Sequence, residues 1–152
     1  MRGLRHPYVN AAVTCAISLV YAAVFIVTSG HLEFQRMLSH GQTLSSPFWN
    51  GFSTFVRQGN LRYIGYLYIA AAIFVVAFSW FRKKDYDEYQ VRILTAGFTV
   101  TGAVMLLLFP VALFLVLSDP NYAIETILFL VVAHWSLFLG ISLFCTIKWC
   151  RE

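Results

Sequence analysis

Four long apolar runs constrain this chain more than any other feature of its sequence. They extend from about Val9 to Thr28, Tyr63 to Phe81, Ile93 to Leu117 and Tyr122 to Trp149. A helix needs about 20 mainly apolar residues to cross a bilayer core of roughly 30 Å, because each residue adds ~1.5 Å. No run has a lysine, arginine or aspartate in its middle. The sequence therefore predicts an all-α integral membrane protein, with residues 1–152 forming one domain of four transmembrane helices.

The composition agrees with a membrane protein and excludes several other classes. Only 12% of the residues are charged, whereas a typical globular protein has about 25%. The net charge of +4 does not indicate nucleic-acid binding, because the basic residues flank the apolar runs instead of forming a stripe. Three cysteines, all near the same predicted side, do not indicate a disulfide scaffold. The lipid bilayer is the expected surrounding of the chain.

The basic residues also predict the direction of the four helices, which alternate as an antiparallel up-down bundle. Eight of them would lie on one side of the membrane, namely Arg2, Arg5, Arg82, Lys83, Lys84, Arg92, Lys148 and Arg151. Only three, Arg36, Arg57 and Arg62, would lie on the other. Because cytoplasmic segments carry more lysine and arginine, we expect a multi-pass protein of the cell membrane with both ends in the cytoplasm.

The outer loop, residues 29–62, holds a predicted interfacial helix at about 47–58. Ser46 and Pro47 form a helix-start signal, and Gly59 follows as a stop signal. The spacing of the aromatic residues Phe48, Trp49, Phe52 and Phe55 places them toward one face, with Asn50, Ser53 and Arg57 toward the other. This face either anchors the loop among the lipid headgroups or, with Arg57, forms a lid or docking surface over a cavity. A weaker short helix is expected from Leu32 to Leu38.

Three residues in or beside the runs are candidates for ligand binding or proton coupling: His134, Glu125 and Tyr66. Histidine is a residue type that can carry protons, and inside a membrane span it is either functional or hydrogen-bonded to a backbone or serine partner. Glu125 follows the helix start Asp119-Pro120, where a carboxylate suits the positive end of a helix. Tyr66 belongs to a tyrosine cluster at the expected outer mouth of the second run.

Small residues indicate where helices approach each other. We expect close packing at three pairs: Ala12 and Ala16, Gly97 and Gly102, and Ser136 and Gly140. Pro110 lies in the middle of the third run, where it removes a hydrogen bond to Leu106.

The sequence favours no enzymatic activity and predicts no cofactor or metal. It has no closely spaced histidine pair, C-x-x-C, phosphate-binding loop or G-x-S-x-G. The leading functional hypothesis is a non-catalytic subunit or accessory protein in a homo-oligomer or with a larger membrane partner. The first alternative is a small transporter or channel for a hydrophobic or weakly charged solute. The second is a lipid-modifying enzyme that uses His31, His40 or Glu33 on the outer face.

Overall fold

The computed structural model describes residues 5–38, 46–82 and 84–149, and all regular structure within these ranges is helical. Six α-helices follow one another: α1 (Pro7–Ser29), α2 (Leu32–Met37), α3 (Pro47–Arg57), α4 (Leu61–Phe81), α5 (Glu88–Ser118) and α6 (Ala123–Trp149). A single 3-10 turn, Pro120–Tyr122, leads into α6. Arg2, His40, Lys83, Cys150 and Arg151, which enter the sequence predictions, lie outside the described residues.

Four helices are long and apolar enough to cross a membrane, as the sequence predicts. They are α1 with 23 residues, α4 with 21, α5 with 31, and the continuous stretch Pro120–Trp149 with 30. Each of the four apolar runs lies within one of them. The chain is therefore an all-helical protein with the makeup of a multi-pass membrane protein.

Helices α1 and α4 form the most extensive helix pair. The buried positions of α4 alternate in steps of four and three residues: Leu61, Gly65, Tyr68, Ala72, Val75 and Ser79. Such a period keeps one face of a helix against its neighbour. The buried face of α1 is rich in small and hydroxyl side chains, namely Ala11, Thr14, Ser18 and Ala22. Small side chains on both helices let the two backbones approach closely.

Gly65 lies at a close approach of the two helices. A Cβ atom at Gly65 would lie 3.1 Å from the carbonyl oxygen of Ala22 and 3.0 Å from Cγ1 of Ile26. The prediction that Ala12 and Ala16 form the packing face of α1 is wrong, because both are exposed. The helix is turned so that Thr14 and Ser18 face inward. Burying these hydroxyls away from lipid is favourable, whereas alanine is tolerated on either face.

Helix α5 packs mainly against α6, and α6 in turn packs against α4. Gly97 of α5 receives Ile141, whose Cγ2 lies 2.6 Å from the position of a Cβ at Gly97. The Phe98 and Phe138 rings stack with centroids 4.6 Å apart. The other predicted small residues do not pack this way: Gly102 and Gly140 are exposed, with no atom within 4 Å of an added Cβ. Helix α5 is therefore a peripheral helix with one main neighbour.

Arg82 joins three helices at the end of the bundle opposite α3. Its Nη1 donates to the carbonyl oxygen of Trp149 at 2.7 Å, and its Nη2 donates to Oε1 of Gln90 at 2.8 Å. The guanidinium also lies 4.9 Å from the Tyr86 ring centroid. Asp87 and Gln90 form a reciprocal capping box at the start of α5. Arg82 thus connects the end of α4 to α5 and α6.

The residues just before α1 are bound to the same loop. The backbone N–H of Tyr86 donates to the carbonyl oxygen of Arg5 at 2.8 Å. Arg5 pairs with Glu88, and His6 with Asp85, each at 3.0 Å. Both pairs are exposed, so each contributes at most about 1 kcal/mol to stability.

Candidate functional site

A buried polar contact joins α3 to α6. Glu125, in the first turn of α6, is 0% exposed. Its Oε1 accepts a hydrogen bond from the Ser53 hydroxyl at 3.0 Å, and Ser53 is also buried. The amide groups at the start of α6 favour a negative charge at this position. Glu125 is the buried carboxylate of this site, and Ser53 connects it to the overlying helix.

A second hydrogen bond one turn away fastens the same two segments. The buried Tyr122, which ends the 3-10 turn, donates its hydroxyl to Oδ1 of Asn50 at 3.0 Å. Asn50 and Ser53 are three residues apart on α3 and therefore project from neighbouring parts of one face. This polar face of α3 is directed toward the start of α6.

The buried side of α3 differs from the sequence expectation. Its buried residues are Trp49, Ser53 and Val56, whereas the sequence placed Ser53 opposite the aromatic face. Phe48 is 55% exposed, and Phe52 and Phe55 are half-buried. The helix is turned so that the serine reaches Glu125, and only part of the phenylalanine face is covered. The boundaries of α3 match the prediction, with Ser46 at the N-cap and Pro47 as the first residue, although the Ser46 side chain makes no capping hydrogen bond.

Three aromatic rings of α3 surround a single ring of α6. The centroid of Phe129 lies 5.5 Å from Phe48, 5.4 Å from Trp49 and 5.8 Å from Phe52, each in an edge-to-face arrangement. Edge-to-face pairs contribute about 0.5–1.5 kcal/mol each beyond the burial of their surface. The aromatic cluster (Phe48, Trp49, Phe52 and Phe129) therefore holds α3 over the first turns of α6.

A small cavity lies between α5 and α6 beside this cluster. Its volume is about 40 Å³, and its walls include Trp49 and Phe129, with Thr126 as the polar contributor. Helix α5 supplies the opposite wall through Leu108, Val111, Ala112 and Leu115. This volume suits a few small atoms, and the mostly apolar walls suit an apolar group better than water.

His134 and Tyr66 do not join Glu125. His134 follows Glu125 by nine residues, which is ~13.5 Å along the helix axis. Its half-buried ring meets Trp135 at a centroid distance of 6.3 Å. The expected serine or backbone partner of His134 is not seen among the described residues. Tyr66 is exposed on α4 and contacts the ring of Tyr63. The three predicted candidates therefore lie at separate places, and only Glu125 belongs to an enclosed site.

The hydrogen bonds inside the bundle involve side chains that were not predicted to form them. The Tyr68 hydroxyl lies 3.1 Å from the carbonyl oxygen of Val132, to which it donates, and 3.2 Å from the Ser136 hydroxyl. The Trp135 indole N–H donates to Ser18 at 3.0 Å. A buried tryptophan or tyrosine usually needs a hydrogen-bond partner. Its presence in the middle of an apolar run is therefore the sequence signal that could have indicated these bonds.

The outer-face residues considered for lipid chemistry lie on or beside α2. His31 precedes α2, and Glu33 pairs with Arg36 at 3.0 Å. Within the described ranges, histidine, cysteine, aspartate and glutamate side chains form no group of three that could hold a metal ion.

No protein-family model, no curated protein and no solved structure matches this chain.

Proposed function

We propose that the four long helices form an antiparallel up-down bundle, with both ends of the chain and the α4–α5 loop in the cytoplasm. The contacts between α1 and α4 support this arrangement. Tyr8 at the beginning of α1 meets Trp80 near the end of α4, with ring centroids 6.4 Å apart. At the other end of the pair, Gly65 of α4 approaches Ile26 of α1. The excess of basic residues beside Arg82 supports the cytoplasmic assignment of that side.

In this arrangement α3 lies at the outer boundary of the bilayer, over the start of α6. Its exposed Phe48 is suited to the headgroup region, while Trp49 and Ser53 face the protein. Aromatic side chains are enriched in this region, where the apolar core of the bilayer meets hydrated headgroups.

The function proposed for this bundle is that of a non-catalytic subunit or accessory protein of the cell membrane, in a homo-oligomer or with a larger partner. One observation carries the proposal: α5 is the longest helix, yet it has only one main neighbour. In the most apolar stretch of α5, 11% of the residues are buried inside the protein. In the corresponding stretches of α1 and α4 the share is 28%. Two polar side chains of the other spans bind neighbouring helices: Trp135 donates to Ser18, and Tyr68 donates to the Val132 carbonyl oxygen.

Site-specific photo-crosslinking in native membranes tests this proposal. A photoreactive amino acid replaces Leu107 or Phe114 on the exposed face of α5, with Leu67 and Ile73 on the exposed face of α4 as matched controls. We expect a discrete protein adduct from the α5 positions and none from the α4 positions. A second, differently tagged copy of the chain distinguishes self-association from binding to another protein. Adducts with lipid alone at all four positions would contradict the proposal.

A second candidate, a small transporter for a hydrophobic or weakly charged solute, is favoured by Glu125. A carboxylate with no exposed surface, next in sequence to Thr126 of the cavity wall, is suited to binding a proton or cation. Proteoliposomes test this with ethidium as the hydrophobic cation and an enclosed pH-sensitive dye. A transporter should show ethidium-dependent proton movement that Glu125→Gln abolishes. Equal signals from both proteins and from empty liposomes would reject the candidate.

A further inference from the structure

An open cleft of about 290 Å³ separates α2 from the end of α3. Among the residues that the structure describes, it is lined by Leu32, Gln35, Arg36 and Arg57. Arg36 belongs to the last turn of α2, and Arg57 is the last residue of α3. The cleft is therefore built where two short helices of one loop each bring an arginine to a shared space. It is distinct from the site at Glu125, which contacts α3 through Ser53.

The charges around this cleft favour an anion. Two guanidinium groups line it, and the neighbouring Glu33 pairs with one of them, Arg36, through Nη1 at 3.0 Å. Glu33 offsets one of the two positive charges. A guanidinium has five N–H donors in a planar fork, so Arg36 keeps donors for another acceptor while it is paired. The cleft thus combines a net positive charge with forked donors.

Arg62, at the start of α4, has a different environment. Its guanidinium carbon lies 5.1 Å from the Tyr63 ring centroid, and its Nη2 donates to the Tyr63 hydroxyl at 3.4 Å. Arg62 is not among the residues of the cleft walls. It therefore has the same charge as Arg36 and Arg57 but contacts an aromatic side chain instead.

We propose that the cleft between Arg36 and Arg57 binds a phosphate group, as a monoester or diester. The planar fork of arginine matches the oxygen geometry of phosphate and can bind it through two hydrogen bonds. The Gln35 amide nitrogen donates to the Ser29 carbonyl oxygen at 3.5 Å and has a second N–H on the same wall, and the exposed Leu32 offers apolar contact to the remainder of the ligand. The phosphate belongs either to a phospholipid headgroup or to a soluble molecule, and the chemistry of recognition is the same. This proposal does not depend on the proposed subunit function.

Two probes distinguish these sources. In the first arm, native mass spectrometry measures retention of phosphatidylglycerol, with digalactosyldiacylglycerol as a lipid without phosphate. In the second arm, inorganic phosphate is added to the protein in a maltoside detergent, with chloride at equal ionic strength as control, and the melting temperature is measured. Retention of phosphatidylglycerol alone indicates a headgroup site, whereas stabilisation by inorganic phosphate without lipid retention indicates a soluble ligand.

Single substitutions test whether the phosphate probe binds in this cleft. Arg36→Gln and Arg57→Gln should each weaken binding of the active probe about fivefold, the effect of losing one exposed charged hydrogen-bond partner. Arg62→Gln is the matched control and should leave binding unchanged. Glu33→Gln should strengthen binding, because it removes the carboxylate that competes for Arg36. Melting temperatures without probe establish that each variant is folded.

Three outcomes would overturn the proposal: an equal loss in Arg62→Gln, weaker binding in Glu33→Gln, or no binding of either probe to the wild-type protein.

Discussion

The indole nitrogen of Trp135 donates a buried hydrogen bond to the Ser18 hydroxyl across 3.0 Å, and thereby joins α6 to α1. The Trp135 ring also stacks on Phe138 with centroids 4.6 Å apart and lies 5.1 Å from Tyr21. One residue thus contributes a polar and an aromatic contact at the place where α6 meets the α1–α4 pair.

Removing either partner of this bond should destabilise the bundle measurably. We expect a coupling energy of about 0.6 kcal/mol, with about 1.7 as the upper bound, in a double-mutant cycle of Ser18→Ala and Trp135→Phe. Unfolding by sodium dodecyl sulfate from mixed micelles measures it. Trp80→Phe is the control for loss of an indole, because Trp80 is exposed on α4. Additive effects of the two changes would show that the bond contributes nothing.

Gly65 and Gly102 should respond in opposite ways to a larger side chain. Gly65→Leu would direct its side chain against the Ala22 carbonyl and Ile26, so we expect a loss of about 1–3 kcal/mol from overpacking. Gly102→Leu would direct the same side chain into open space, where it meets no atom within 4 Å. The same unfolding assay compares the two. Equal destabilisation of both variants would contradict the α1–α4 packing described above.

Loss of the Phe129 ring should release α3 from the bundle. The Phe129 ring contacts the rings of Phe48, Trp49 and Phe52. Phe129→Ala should weaken the attachment of α3 by about 1.5–3 kcal/mol, the value of burying one such side chain. Limited proteolysis within residues 47–58 and spin-label accessibility along α3 report this release. Phe144→Ala, at an exposed position of the same helix, should leave the cleavage rate unchanged.

Arg82 should contribute more to stability than the neighbouring Lys84. Arg82→Gln removes the donors to the Trp149 carbonyl and to Gln90, and hydrogen bonds from a charged group contribute about 1.5–3 kcal/mol. Since Arg82 is partly exposed, we expect the lower end of that range. Arg82→Lys should recover only part of the loss, because an ammonium group lacks the planar fork. Lys84→Gln removes the same charge from an exposed position, and thermal unfolding should show a much smaller shift.

The proposed topology predicts the location of fusion reporters. Fusions at Asp85 and at Glu152 should give cytoplasmic signals, and a fusion near Gln42 should give an external signal. Paired alkaline phosphatase and green fluorescent protein fusions measure both sides. An external signal at Glu152 would require an odd number of crossings and would contradict the bundle.

The number of long helices and the ends of α3 could be predicted from the sequence, but the faces that pack could not. The lengths of the apolar runs predict the number of long helices, and the Ser46-Pro47 and Gly59 signals predict the ends of α3. Gly59 has a φ of +74°, a conformation that favours glycine. Within an apolar helix, however, most side chains suit lipid and protein equally. The inward face of α1 is therefore indicated by its hydroxyls, Thr14 and Ser18, and not by Ala12 and Ala16.

The candidate site was predictable only in part, for a related reason. Glu125 stands out in the sequence as a carboxylate in an apolar region. Its partner Ser53 does not, because it lies 72 residues away and its helix also presents a phenylalanine face that competes for the same burial. Likewise, His134 draws attention by its chemistry, whereas the buried polar bond at that level belongs to Trp135. Which of two adjacent residues faces inward depends on the rotation of α6 against α1 and α4.

The bond from Arg82 to the Trp149 carbonyl also has a consequence for the order of assembly during synthesis. Arg82 closes the second long helix, but its acceptor is made 67 residues later. A nascent chain that has already inserted α1 and α4 therefore still carries a guanidinium whose final backbone acceptor has not been translated. This end of the bundle is completed only when the last turn of α6 has reached Arg82. A chain stopped before residue 149 would lack this acceptor, and Arg82 could not close the junction between α4 and α6.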